Sequence, residues 1–477
     1  MNSNEMRLLL ERAFYAAVAA ADPGLIPPTV LPPVPRGRLL VVGAGKAAAA
    51  MAGAVERHYL ERRPGAGIKG TTVKLEGLVI VPYGAGNGAR PKFGGNESTG
   101  VHGTKGSDAS SSGAVDRSRA GHTEGHTEGH IEIVHASHPL PDEGGVAATG
   151  RILAEVDACG ADDQVIVLLS GGGSALLCSP DGLDLAEKGA VTRDLLRSGA
   201  QIDEMNAVRK HLSKVKGGRL ALAAAPAKVT TLVLSDVVGD DLSSIASGPT
   251  VADPSTFSDA LAVLDRYGIE APSARRVLEE GRRLERPETP KPGDSHLDHA
   301  QAFLLGNNQG SLEAVAVLLE AAGLTPHILS SSITGEARDA GRMHAAIARQ
   351  VLEQRQPFRP PCALISGGET TVSVRGRGRG GRNSEFALGL ALGLPSNAPI
   401  WALVADTDGI DGSEENAGVF ISPELLARFD RTVARASLDA NDSYTFFETE
   451  QHLLISGPTG TNVNDLRIVL IGASEAL

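Results

Sequence analysis

Arginine and glycine alternate from Arg375 to Arg382 (RGRGRGGR), after which Asn383 or Ser384 can cap a helix reading SEFALGLALGL. A cationic loop that ends at a helix N-terminus suits a bound polyanion, because backbone N–H groups, the helix dipole and guanidinium forks all favour negative charge. The same residues also describe a glycine-rich turn with solvated arginines, the reading that suits Arg375 and Arg377. Just upstream, Ala363, Leu364 and Ile365 run into Gly367 and Gly368, and Thr370, Val372 and Val374 alternate as in a strand.

Comparable chemistry sits at other predicted strand ends. Lys46 follows the apolar run RLLVV and the turn Gly43–Gly45, but the spacing matches neither GxxxxGK[ST] nor GxGxxG. Ser170, Gly171, Gly172, Gly173 and Ser174 make a strand-to-helix turn with almost no side-chain bulk, a shape that can cradle phosphate. Asn206, Arg209 and Lys210 lie within about one helical turn, close enough to act on one anion. Asp236 stands just past an apolar strand, where parallel strands deliver ligand-facing groups. Asp240, Asp241 and Asp253 follow in a turn-rich loop that gives aspartate its usual backbone-bonding role. Asp406, Asp408 and Asp411 close another strand with adjoining glycines. Such carboxylates can hold Mg²⁺ with water and substrate completing the shell, or can simply shape the turn.

These groups need a scaffold that repeats strand, glycine turn and helix. Apolar runs at 39–42, 78–81, 165–169 and 229–234 read as strands, Ile131, Ile133 and His135 alternate as another, and the pattern restarts at FLLGNNQGSLEAVAVLLEAAG. The expectation is an α/β protein of two domains with the active site in the cleft between them. The first covers 1–280, the charged Pro-bearing stretch 281–300 is a linker, and the second covers 301–477. Residues 84–130, rich in Gly and Ser and carrying GHTEGHTEGH, read as a disordered insertion; glycine between His122, His126 and His130 disfavours the helix a metal site would need.

Composition narrows the function. A formal net charge of −12 argues against nucleic acid or an anionic membrane as the main partner. Three scattered cysteines form neither a disulfide framework nor a metal knuckle, which points to reduced thiols in the cytosol. The first 23 residues read as an amphipathic helix rather than a signal peptide, and no stretch has the apolar length of a membrane span. Local cations for phosphates, carboxylates for Mg²⁺ or a hydroxyl proton, and backbone cradles together spell phosphoryl transfer.

The order of motifs carries a further reading. VVGAGKAAAAMA, HPLPDEGG, LLSGGGSALL, MNAVRKHLSKVKGGRLA, SDVVGDDLSSIASGPT, LLGNN, SGGETTV with GRGGRNSEFAL, and ADTDGIDG together resemble the type II glycerate kinases over nearly the whole chain outside 84–130 and the linker. The resemblance implies an N-terminal Rossmann-like α/β/α domain and a smaller C-terminal α/β domain of the MOFRL type. It also implies transfer of the γ-phosphate of ATP to D-glycerate with Mg²⁺, typically giving 2-phosphoglycerate, by a monomer or homodimer. Carried over by position, it implies active-site roles for Lys46, Asp236, Arg382 and Asp408. Lys46 and Arg382 would bind the glycerate carboxylate or the phosphoryl group, Asp236 would accept the hydroxyl proton, and Asp408 would place Mg²⁺ or orient an arginine. The nucleotide is then expected on Ser170, Gly171, Gly172, Gly173, Ser174, Asn206, Lys210 and Arg379, and the metal on Asp406 and Asp408. Two other functions stay open: an NAD(P)-dependent hydroxypyruvate reductase, which would need a dinucleotide crevice, and a non-catalytic sensor of sugar acids or nucleotides on the same fold.

Overall fold

A computed structural model describes residues 2–60, 73–84, 126–127 and 130–472. Its strands, in chain order, are β1 (Arg38–Ala44), β2 (Lys74–Pro82), β3 (His126–Thr127), β4 (Ile131–Ala136), β5 (Gln164–Leu169), β6 (Lys228–Leu234), β7 (Ala300–Gly306), β8 (Thr325–Ile333), β9 (Cys362–Gly368), β10 (Ile400–Asp406), β11 (Gly418–Ile421), β12 (Leu453–Leu454) and β13 (Asp465–Ile471).

The first sheet has the order β3-β4-β2-β1-β5-β6-β7 and is parallel except for the short β3. β5 is buried along its whole length, as a near-continuous Val/Ile/Leu run requires when helices cover both faces. One face packs on helices Glu143–Asp157 and Arg219–Ala224, the other on helix Ala48–Leu60. This is the layered α/β arrangement expected, and it gathers the carboxyl ends of β1, β4, β5 and β6 along one edge.

The second sheet has the order β12-β11-β10-β13-β9-β8. Only the β8–β9 pair is parallel; β9, β13, β10, β11 and β12 pair antiparallel. Helices Ala337–Gln354 and Arg382–Gly393 cover one face. On the other lie helix Asn308–Ala321 and, unexpectedly, the amphipathic helix Ser3–Ala20, whose Leu10, Phe14 and Val18 join Ile365 and Leu403 in one core.

Two boundaries therefore differ from those expected. The strand placed at the start of the second half, β7, is the last strand of the first sheet, and the chain begins on the second sheet. The charged stretch before β7 is not a loose linker either: Glu288 accepts from Phe257 N–H at 3.1 Å and meets His211 Nε2 at 2.8 Å, and Thr289 is buried. Composition reported its polarity but not its partners. The expected insertion lies mostly outside the described residues. Within them, no helix is long and apolar enough to cross a membrane, and Cys159, Cys178 and Cys362 are buried free thiols.

Candidate active site

A cavity of about 910 Å³ is lined from the first sheet by Lys46, His138, Gly172 and Asp236, and from the second by Glu369, Arg382, Asp406, Asp408, Asn462 and Asn464. Parallel strands deliver the first group at their carboxyl ends. β9 and β10 deliver Glu369 and Asp406 in the same way, whereas Asn462 and Asn464 precede β13, which runs the other way and so begins at the cavity edge.

Arg382 is the centre of the second group. Its Nε donates to Asp465 Oδ1 at 2.7 Å, Nη2 to Asp406 Oδ2 at 2.7 Å and Nη1 to Glu369 Oε1 at 2.6 Å. Burial opposes its charge, but Asp465, Asp406 and Glu369 outweigh that and raise its pKa. Asp465 is itself fully buried and also accepts from Arg467. Burial and then Asp408 push the Asp406 carboxyl well above the usual carboxylate range, with Arg382 pulling the other way.

Lys46 Nζ faces Asp408 Oδ2 at 3.5 Å, and Asn462 Nδ2 approaches the same oxygen at 3.4 Å. Both contacts are long, so that oxygen keeps room for a stronger partner. The Asp236 carboxylate has no side-chain partner among the described residues, although Asn464 Nδ2 holds its backbone carbonyl at 2.7 Å. Burial and then the Glu369 charge raise its pKa to about 6, against the pull of Lys46. A carboxylate in this state is suited to take a proton near neutral pH.

The glycine turn after β5 borders this carboxylate. A Cβ on Gly171 would stand 2.1 Å from Asp236 Oδ2, and one on Gly172, at φ +80°, would stand 2.9 Å from His138 Cδ2. The rest of the expected cradle faces elsewhere. Ser170 is buried and accepts from Ala47 N–H at 3.0 Å, tying the β1 turn to the β5 turn. A Cβ on Gly173 would meet Ala44 O at 3.0 Å, and Ser174 Oγ lies 2.7 Å from Ser247 Oγ. Lys210 turns away to Asp253 at 3.1 Å, and Asn206 accepts from Ser247 Oγ at 3.1 Å.

The arginine–glycine loop differs most from its sequence reading. The alternation Thr370, Val372, Val374 forms no strand, because β9 ends at Gly368 and only Thr371 bridges, to Glu336. The helix begins at Arg382, and Asp411 accepts from the N–H groups of Asn383 and Ser384, both at 2.8 Å. The anion at this helix N-terminus is thus the chain's own carboxylate. The glycines clear room for protein: a Cβ on Gly376 would meet Ala440 O at 1.9 Å, one on Gly378 Asp442 Cβ at 2.3 Å and one on Gly381 Asp411 Oδ1 at 2.3 Å. Arg379 bonds Glu414 at 2.6 Å and lies over the Tyr444 ring, while Arg375 and Arg377 are exposed.

The four residues Lys46, Asp236, Arg382 and Asp408 do meet in one cavity. His138, Glu369, Asn462 and Asn464 line it with them, and the buried Asp465 backs Arg382, none of them anticipated. The carboxyl-end rule could have found His138 and Glu369, since each closely follows a strand. Nothing local marks the other three, whose placement depends on the direction of β13. No three described His, Cys, Asp or Glu groups converge to cage a metal. Of the expected pair, Asp406 is already held on both oxygens, by Arg382 Nη2 and by Asp408 N–H at 3.1 Å.

Comparison with known proteins agrees with this architecture. Residues 9–279 match a domain of unknown function (DUF4147) and residues 362–465 match the MOFRL family. The chain is 46% identical, over 99% of its length and 96% of the relative's, to an Agrobacterium vitis protein with a provisional hydroxypyruvate reductase name. It is 45% identical to the D-glycerate 2-kinase of Thermotoga maritima, over 74% of this chain and 82% of that one. The crystal structure of a glycerate kinase from Thermotoga maritima superposes with a TM-score of 0.78 at 37% identity, covering 98% of this chain and 100% of that one.

Proposed function

The chain belongs to the type II glycerate kinase family, and from that premise we propose that it transfers the γ-phosphoryl group of ATP to the 2-hydroxyl of D-glycerate. The observation that carries the reading is the unpartnered Asp236 carboxylate in a cavity that also holds Lys46 and Arg382. Asp236 takes the proton of the attacking hydroxyl as its oxygen bonds to the γ-phosphorus; the bond from that phosphorus to the bridging oxygen breaks, and ADP leaves with the electron pair.

Lys46, at the rim and 40% exposed, swings from its long contact with Asp408 onto the transferred phosphoryl group. Arg382 is fixed by the buried Asp406 and Asp465, so its exchangeable partner is the half-exposed Glu369. The carboxylate of glycerate takes that place on Nη1 in a charge-assisted bond.

The donor set fits Mg²⁺, which is held by few protein carboxylates together with substrate phosphates. Asp408 and the released Glu369 would hold it, in place of the Asp406 and Asp408 pair. When bound, the ion neutralises charge on the phosphate oxygens.

The reductase reading loses its crevice. Gly45 is needed because a Cβ there would lie 2.2 Å from Ser170 Oγ, so the turn after β1 is closed by protein where a dinucleotide pyrophosphate would have to approach. The kinase reading carries with it a cytosolic protein, monomeric or homodimeric.

Purified protein given ATP, Mg²⁺ and D-glycerate should form ADP and 2-phosphoglycerate in equal amounts, resolved from the 3-phosphate by ³¹P NMR. Binding of ATP and glycerate with no ADP formed would favour the sensor. NAD(P)H oxidation with hydroxypyruvate and no phosphorylation would restore the reductase.

A further inference from the structure

We propose that a second, positively charged site behind the β5 glycine turn, made by Lys188, Arg209 and Lys216 with Asn206, Ser174 and Ser247, binds the polyphosphate of the nucleotide. This rests on the kinase reading and gives the nucleotide a place that the cavity itself does not. Three cations act on one another here, and among the described residues no carboxylate is bonded to any of them. Lys216, 1% exposed, donates only to neutral oxygens: Ser174 O at 2.8 Å, Ser174 Oγ at 3.5 Å and Ala246 O at 3.4 Å. Lys188, 5% exposed, donates to Leu212 O at 3.1 Å. Arg209, half-buried, has no hydrogen-bond or ion-pair partner among the described residues. Asp181, which acts on Lys188 from a distance, is bonded instead to Arg219 and Arg286.

A donor without an acceptor completes the set. Asn206, 2% exposed, uses its Oδ1 for Ser247 Oγ and leaves Nδ2 buried with no partner. Buried donors are nearly always satisfied, so such an atom marks an absent acceptor. Burial and then mutual repulsion among the three cations push the Lys216 amine well below its usual range. An anion would relieve that repulsion, accept from Asn206 and Arg209, and enter from the Arg209 side. Ser174 is two residues beyond Gly172, which lines the main cavity, so their Cα atoms are at most about 7.6 Å apart. A triphosphate lying across the glycine turn can therefore reach both places.

The location corrects the reading of helix Ile202–His211. Lys210, expected on the nucleotide, is consumed by Asp253, while Arg209 on the next face is free.

The test uses the full-length protein and Arg209→Gln. ADP binding by calorimetry should weaken at least tenfold and the KM for ATP should rise equally. The unfolding temperature without nucleotide should stay level or rise, because one of three like charges has gone. Lys188→Gln should repeat the pattern, and inorganic tripolyphosphate should compete with ADP on the wild type. ADP affinity within twofold of wild type in both variants, whatever the unfolding temperature, overturns the site. A wild type that binds ADP through Arg209 yet phosphorylates no glycerate leaves the site standing and removes the kinase reading. Active glycerate phosphorylation with an unchanged KM for ATP in Arg209→Gln removes the site alone.

Discussion

Lys46 and Asp408, 362 positions apart in the chain, face each other at 3.5 Å across the gap between the two sheets. One follows β1 and the other follows β10, so the pair exists only when both halves are folded and docked. Its length and the exposure of Lys46 make it weak, as surface pairs are, worth about 0–1 kcal/mol. Lys46→Ala should therefore lower stability by less than about 1 kcal/mol while kcat/KM for glycerate phosphorylation falls roughly 10²–10³-fold. Urea unfolding and steady-state kinetics on the same preparation separate the two effects; near-wild-type turnover would remove Lys46 from the chemistry.

Arg382 should behave in the opposite way. Its guanidinium bridges buried Asp406 and Asp465, and Arg382→Ala strands Asp406 while Asp465 keeps Arg467, so a loss on the order of 3–5 kcal/mol is expected. Arg382→Lys keeps the charge but cannot bridge three carboxylates from one planar fork. It should fold, with kcat/KM down about 10²-fold, and a lysine variant as active as the wild type would count against the geometric role.

The Asp236 carboxyl sets a pH limb. With its pKa near 6, kcat/KM should fall about tenfold for each pH unit below that point, and Asp236→Asn should lose about 10²–10⁴ in rate. Its folded pKa lies above the ordinary value of 3.8, so the folded state binds more protons between the two. This contribution to stability is fully present below about 3.8, falls as pH rises to about 6, and stays lost above it. At pH 8 Asp236→Asn should accordingly unfold later than the wild type, by on the order of 1–3 kcal/mol. A pH-independent rate between 5 and 7 would show that Asp236 is not the base.

Gly171 tests how tightly the turn is fitted to that base. Its missing Cβ would lie 2.1 Å from Asp236 Oδ2, so Gly171→Ala must displace the carboxylate. We expect at least a roughly tenfold fall in kcat, since small misplacements of a reacting group are costly. Unaltered kcat in Gly171→Ala would mean that the carboxylate position is not critical.

Arg379 provides the contrast within the arginine–glycine loop. It is bound to Glu414 and stacked on Tyr444. Arg379→Ala should leave kcat and the KM for ATP within about twofold, because it removes only surface contacts with Glu414 and Tyr444. A tenfold rise in the KM for ATP would return it to the nucleotide site.

The sequence by itself determined the repeat of strand, glycine turn and helix, the burial of runs such as Val165–Leu169, and the types of group at the strand ends. Each follows from local periodicity and backbone chemistry, which act over a few residues. Lys46, Asp236, Arg382 and Asp408 were legible for that reason, aided by the order of the motifs. Tertiary structure alone decided what each group faces. Whether the glycines of the 376–381 loop make room for a ligand or for Ala440, Asp442 and Asp411 depends on segments distant in the chain. The same holds for Asp411 capping the helix at Arg382, and for Lys210 facing Asp253 while Arg209 faces no acceptor. Strand direction was equally invisible: because β13 runs antiparallel to β9 and β10, Asn462 and Asn464 reach the cavity just before their strand, and Asp465 at its start reaches Arg382 from behind. Hydrophobic pattern does not encode direction, and pairing across a sheet is settled only when the strands dock.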